Sequence, residues 1–129
     1  MKPELEEKLL TKYPELFVQH EWSMQTTCIC WGIECWDGWY NLLDGLCGNI
    51  MDYCKSRGIT PPQFTQVKQK YGTLRVYINL ADETIYDMVD KAENESANIC
   101  EKCGSNDGVK FTEGWLTALC NNCKKNINK

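Results

Sequence analysis

Cys100-Glu101-Lys102-Cys103 and Cys120-Asn121-Asn122-Cys123 are two C-x-x-C pairs separated by sixteen residues. A short turn within each pair aims two thiolates at one point, and Gly104 after Cys103 helps the first turn close. Together the pairs supply four sulfurs, which complete a tetrahedral shell around one Zn2+ ion. A shell of four thiolates leaves no open coordination position, so the chemistry it offers is structural rather than catalytic. The segment between the pairs holds Val109, Phe111, Trp115, Leu116 and Leu119, too few apolar residues to fold unaided. Zinc would supply the missing stability, on the order of 10 kcal/mol or more of binding free energy near neutral pH. An iron–sulfur cluster draws on the same four donors and is the competing assignment.

The other cysteines carry no matching pattern. Cys47 and Cys54 fall on the apolar stripe of a helix and read as buried thiols. Cys28, Cys30 and Cys35 lie close in sequence, but no histidine or fourth ligand accompanies them as a second metal or redox centre. His20 is the sole histidine, so any Ser-His or Cys-His nucleophile pair has to use it. A zinc deaminase needs H-x-E followed by P-C-x-x-C. Here His20 directly precedes Glu21, and neither cysteine pair follows a proline. Nor is there a phosphate-cradling glycine loop. The expectation is a protein that is not an enzyme.

Two surfaces suit binding. Asp82, Glu83, Asp87, Asp90, Glu93 and Glu95 put six carboxylates on one helical segment against a single Lys91. Such a ridge attracts a basic partner, although a solvated helix face uses the same residues. Lys68, Lys70 and Arg75, with Tyr71 and Tyr77 beside them, form a small basic and aromatic cluster on a hairpin. That cluster could track a nucleic-acid backbone, and lysine on an exposed strand also discourages aggregation. Lys124, Lys125 and Lys129 form a short basic tail that reads as solvated.

The elements that must position these residues follow from periodicity. Leu5, Leu9 and Leu10 recur at helical spacing after Pro3, and Pro14 ends that segment. The stretch from Trp22 to Trp36 alternates Trp and Cys loosely, as a strand or ordered loop would. After Asp37-Gly38, a broad stripe of Trp39, Leu42, Leu43, Leu46, Cys47, Ile50, Met51 and Cys54 predicts a central helix that Gly58 terminates. Phe64–Lys70 and Thr73–Asn79 read as two strands joined at Tyr71-Gly72, and a second helix runs from about Asp82 to Ser96. The fold class is therefore α+β, helices packed with a β-hairpin, plus a C-terminal four-cysteine zinc module. Residues 1–97 would form the core and 98–129 the module.

The 129 residues suffice for one modest core, burying roughly 65% of the unfolded surface. Fourteen basic against eighteen acidic residues give a net charge of −4, which argues against a general nucleic-acid binder and suits a basic partner. No apolar run approaches the roughly 18 residues of a membrane span. The opening residues, Met1 to Glu7, lack the apolar stretch of a signal peptide, so a reducing compartment is expected. There nine cysteines, an odd number, serve metal binding or burial rather than disulfides.

From Ile33 to Cys123 the sequence resembles a family of small proteins encoded by phages and prophages. The resemblance rests on Glu34-Cys35-Trp36-Asp37-Gly38-Trp39-Tyr40-Asn41-Leu42-Leu43 and on Gln66-Val67-Lys68-Gln69-Lys70-Tyr71-Gly72-Thr73-Leu74-Arg75-Val76-Tyr77. It continues through Ala92-Glu93, Ser96, Cys100-Glu101-Lys102-Cys103-Gly104, Gly114-Trp115 and Leu119-Cys120-Asn121-Asn122-Cys123. Among phage proteins without a catalytic type, the chain looks like the zinc-containing type II anti-CRISPR proteins. What this implies is a non-enzymatic inhibitor in the bacterial host's cytoplasm. It would bind a type II CRISPR effector nuclease so that target DNA cannot load. Such nucleases hold nucleic acid in positively charged channels, which an acidic helix of Asp82, Glu83, Asp87, Asp90 and Glu93 could meet. The alternative is a nucleic-acid-binding accessory phage protein that uses a zinc ribbon and the Lys68, Lys70, Arg75 patch.

Overall fold

The computed structural model describes residues 1–21, 29 and 32–127. Helix α1 (Pro3–Lys12) starts with Pro3 in its first turn, where a missing N–H costs nothing. Leu9 buries its apolar face, and the Tyr13 hydroxyl beyond its end donates to Asp44 Oδ1 at 2.7 Å. A 3₁₀ turn at Val18–Glu21 follows. Trp22, Cys28, Cys30 and Trp31, expected in a strand or ordered loop, lie outside the described residues.

Strand β1 (Ile33–Glu34) is short, and its Ile33 N–H donates to Glu6 Oε1 on α1. A 3₁₀ turn at Asp37–Trp39 leads into α2 (Tyr40–Arg57), which Gly58 closes at φ 65°. The apolar stripe is seated as its spacing demands: Trp39, Leu43, Leu46, Cys47, Ile50 and Cys54 are all buried. Trp39 is fully buried, and its indole N–H donates to Ile99 O at 3.0 Å, so the large ring costs no orphaned donor.

Strands β2 (Gln63–Lys70) and β3 (Thr73–Asn79) form the hairpin, with Val67 opposite Val76 and Lys68 opposite Arg75. Tyr71 and Gly72 both take positive φ, 54° and 86°, the mirror-image turn that matches the sheet's twist. Gly72 is needed twice over, because a Cβ there would lie 2.8 Å from the Phe111 ring. The sheet order is β1-β2-β3, with β1 parallel to β2 through Ile33 opposite Val67. A parallel pair needs a long crossover, and α2 lies within it. The hairpin expected from the sequence is thus part of a three-stranded sheet.

Helix α3 (Glu83–Ser96) is capped by Asp82, whose Oδ1 accepts the Ile85 N–H at 3.0 Å. Ile85, Val89, Ala92 and Ser96 face inward. This helix also covers the open edge of the sheet. Ser96 Oγ accepts the Leu74 N–H at 2.8 Å, and Glu93 Oε2 accepts the Val76 N–H at 2.9 Å. Two side chains of α3 therefore stand where another strand's carbonyls would be. Beyond α3, β4 (Lys110–Phe111) pairs antiparallel with β5 (Ala118–Leu119), and α4 (Asn121–Ile127) ends the described chain.

The α+β class is as read from the sequence, with helices on a small sheet and the cysteines gathered at the C-terminal end. Because Leu74 is fully buried, its N–H has no access to water if Ser96 loses its hydroxyl. Ser96→Ala is expected to cost about 1–3 kcal/mol, read as a lower urea midpoint with an unchanged denaturant slope. A midpoint within error of the parent would show that the edge does not need this acceptor.

Candidate metal centre

Each cysteine pair is held by its own local structure. Cys100 follows the turn that ends α3, and Gly104 N–H returns to Cys100 O at 2.9 Å, closing the first loop. Cys120 directly follows β5, and Cys123 sits in the first turn of α4, its N–H 3.5 Å from Cys120 Sγ. The two short strands bring the halves together, with Glu101 N–H donating to Ala118 O at 2.9 Å.

The four Sγ atoms lie within 4.8 Å of one another. Cys103 Sγ and Cys120 Sγ are 3.7 Å apart. Four sulfurs about 2.3 Å from a common centre, in tetrahedral array, stand about 3.8 Å from each other. The spacing therefore fits the edge of one four-sulfur tetrahedron, and the group could hold a metal ion. Cys100, Cys120 and Cys123 are buried, and Cys103 faces solvent.

Electrostatics point the same way. Burial pushes the Cys100 thiol up, but the backbone N–H groups of Cys120, Cys103 and Lys102 outweigh it and bring its pKa down to about 7. Cys123 is pushed up to about 12, by burial and then by the thiols of Cys120, Cys103 and Cys100. Four thiols at this separation cannot all ionise in their own company. A bound cation removes that conflict, and its binding is coupled to proton release. Apolar support is thin, with Leu119 and a partly buried Val109 packed among the ligands.

The loop of the first pair is seated on the core. Gly38 N–H donates to Glu101 O at 2.6 Å, and a Cβ on Gly38 would lie 2.1 Å from Cys100 O. Trp36 N–H donates to Glu101 Oε2 at 3.0 Å. Across the seam, Gln69 Nε2 on β2 donates to Leu116 O at 2.6 Å. These three links join the cysteine-bearing segment to β2 and to the approach into α2.

The remaining described cysteines behave as apolar residues. Burial pushes the Cys35 thiol up to about 12, with Glu101 adding to the effect, and burial also raises Cys47 and Cys54. Among the described residues, the four C-terminal cysteines form the one group arranged for a metal.

The acidic ridge is partly spent on structure. Asp82 caps α3 and accepts the Tyr53 hydroxyl at 2.7 Å, contacts that hold its carboxyl below the usual range, Tyr53 contributing most. Glu93 turns onto β3, where burial raises its carboxyl while the Val76 N–H and Arg75 act in the opposite sense. Glu83, Asp87 and Asp90 stay exposed. The basic cluster is divided as well. Arg75 Nη1 lies 3.9 Å from Glu93 Oε1, and Lys70 Nζ sits 5.5 Å from the centre of the Tyr71 ring. Lys68 instead lines a groove of about 1080 Å³ between the sheet and the cysteine module, with Trp36, Glu101, Trp115 and Lys124. Sequence reasoning passed over Glu101 as a groove residue, because it sits between Cys100 and Cys103.

Comparison with protein-family models, with curated proteins and with solved structures finds no match to this chain. No helix among the described residues is long and apolar enough to cross a membrane.

Cys120→Ser is expected to lose most of the bound metal and to expose residues 98–129 to protease while the central helix stays protected. Full metal content with unchanged proteolysis would remove the cluster from its structural role. Gly38→Ala forces a Cβ against backbone that cannot swing aside, so about 2 kcal/mol or more of stability should be lost. Thermal unfolding that matches the parent would show that the seam between module and core is not a stabilising contact.

Proposed function

We propose that this chain is a non-enzymatic zinc protein that works by binding another protein. The observation that carries this reading is the closed set of four cysteine donors. Zn2+ suits four sulfurs converging on one point, with Cys103 and Cys120 Sγ 3.7 Å apart. An iron–sulfur cluster places its own irons and sulfides between the thiolates and would hold them further apart. With all four positions filled by protein, the ion has no place for substrate or water. Its contribution is to hold residues 98–129 against the core.

The exposed part of the acidic helix, Glu83, Asp87 and Asp90, supports a basic partner, as does the net charge of −4. Joined to the resemblance carried by residues 33–123, this leads to an anti-CRISPR role in the cytoplasm of a bacterial host. The partner would be a type II CRISPR effector nuclease whose positively charged channel is denied to target DNA. A nucleic-acid-binding accessory role is the second reading. What favours it is that Lys68 and Lys124 line the same groove as Trp36 and Trp115.

The test is DNA cleavage by a guide-loaded type II nuclease with and without an equimolar amount of the zinc-loaded protein. Cleavage should be lost, and the two proteins should co-elute. Asp87→Lys combined with Asp90→Lys should weaken the complex about tenfold or more. Undiminished cleavage would overturn this target. Inhibition that survives the double reversal would overturn α3 as the contact face. Direct DNA binding that falls steeply with added salt would favour the second reading.

A further inference from the structure

Charge is divided unevenly over this molecule. The hairpin, residues 63–79, and the cysteine module, residues 98–127, meet where Gln69 donates to Leu116 O and where Phe111 packs on Gly72. Together they carry seven lysines and arginines against three carboxylates, whereas residues 1–62 and 80–97 carry six against fifteen. Two of the seven cations are answered nearby. Lys68 lies opposite Glu34 of β1, and Arg75 Nη1 is 3.9 Å from Glu93 Oε1. Of the three carboxylates, Glu101 is buried. What remains in solvent is Lys70, Lys102, Lys110, Lys124 and Lys125 against Asp107 and Glu113. A chain that is acidic as a whole therefore has a basic end, and such asymmetry points to a polyanion there.

Exposed aromatic rings collect at the same end. Among the described residues six aromatic side chains are exposed, and Tyr71, Tyr77, Phe111 and Trp115 belong to the hairpin or the module. Trp115 is 84% exposed and Tyr71 70%. They flank one contact: Tyr71 precedes Gly72, whose absent Cβ leaves room for the Phe111 ring and for Leu116, the neighbour of Trp115. Lys70 Nζ sits 5.5 Å from the centre of the Tyr71 ring, so cation and ring stand side by side. Tyr71 is also an unfavourable residue for its position. Both central residues of the turn take positive φ, which Asn-Gly adopts readily and a bulky side chain does not. Its ring gains little burial in return, so the fold supplies no reason for tyrosine there.

Lysines beside open aromatic faces suit a nucleic-acid strand whose bases are unpaired, because the lysines follow the phosphates while the rings stack on bases. A duplex keeps its bases inside and has no use for the rings. An acidic peptide would use the lysines alone. We propose that the end formed by the hairpin turn and the cysteine module binds single-stranded nucleic acid, with Tyr71 and Trp115 stacking on bases and Lys70 and Lys110 meeting phosphates. This rests on the second reading of the function and deepens it, naming the form of the nucleic acid and its contacts. It uses none of the carboxylates of α3.

The experiment is a fluorescence-anisotropy titration of a labelled oligothymidylate with the zinc-loaded chain, repeated with a blunt duplex of equal length and with polyglutamate as competitor. The single strand should bind about fivefold or more tighter than the duplex, and its affinity should fall as salt is raised. Tyr71→Asn supplies the residue the turn favours and removes the ring, and Trp115→Ala alters a side chain too exposed to support the fold. Each should weaken single-strand binding about fivefold or more with zinc content unchanged. Parent-like affinity in both variants would overturn the proposal, as would displacement of the oligonucleotide by polyglutamate at equal charge, which would mark an acidic protein as the occupant. Duplex bound as tightly as the single strand would overturn it and leave the second reading standing. No saturable binding of either nucleic acid would overturn both.

Discussion

Four sulfurs gathered within 4.8 Å set the condition on which the C-terminal quarter of this molecule depends. As thiols they pack poorly, and as thiolates they repel. One amide-rich pocket draws Cys100 toward ionisation while the same crowding drives Cys123 away from it. Only a cation at their centre lets all four adopt the charged form that the geometry anticipates. Around the sulfurs themselves the support is thin, Leu119 with Val109, and β4 and β5 are two residues long, while Ala118 and Ile99 join the main core. A bound metal ion would add to what holds residues 98–127.

That local condition reaches the core through backbone rather than through large side chains. Gly38 lies so close to Cys100 and Glu101 that no Cβ fits, and Trp39 next to it ties its indole to Ile99 O. The start of the central helix and the first metal-binding loop are thus one packed unit. On the other side Gly72 admits the Phe111 ring against the hairpin turn. Both contacts use the absence of a side chain to bring two backbones or a backbone and a ring together. Distortion of the first cysteine loop would be felt at the approach to α2 and at the hairpin turn, not along the buried stripe of α2.

Much of this was legible in the sequence, for identifiable reasons. The stripe from Trp39 to Cys54 is long enough for helical periodicity to be unambiguous, and Tyr71-Gly72 between alternating residues marks its hairpin. The cysteine spacing picked out the four residues whose sulfurs converge, because chemistry, not packing, dictates it. What escaped has the opposite character. Strand β1 is two residues and pairs in parallel with a strand some thirty positions away, so no local pattern announces it. Glu93 belongs by composition to an acidic helix face, yet it serves as a hydrogen-bond acceptor for β3. Charge patterning places a carboxylate on a helix but cannot say whether it points to water or to an unpaired strand edge.

The same distinction applies to the seam groove. Its walls come from the segment before α2, from β2 and from the cysteine module, three stretches that are remote in sequence. Their relative placement is fixed by the metal loop on one side and by Gln69 on the other. Glu101 lies between the two cysteines of its loop in sequence, and its buried carboxylate accepts the Trp36 N–H, with Gln69 and the N-terminal ammonium acting on it as well. A metal ion held by Cys100 and Cys103 would also fix the loop whose Glu101 meets Trp36 and Gly38.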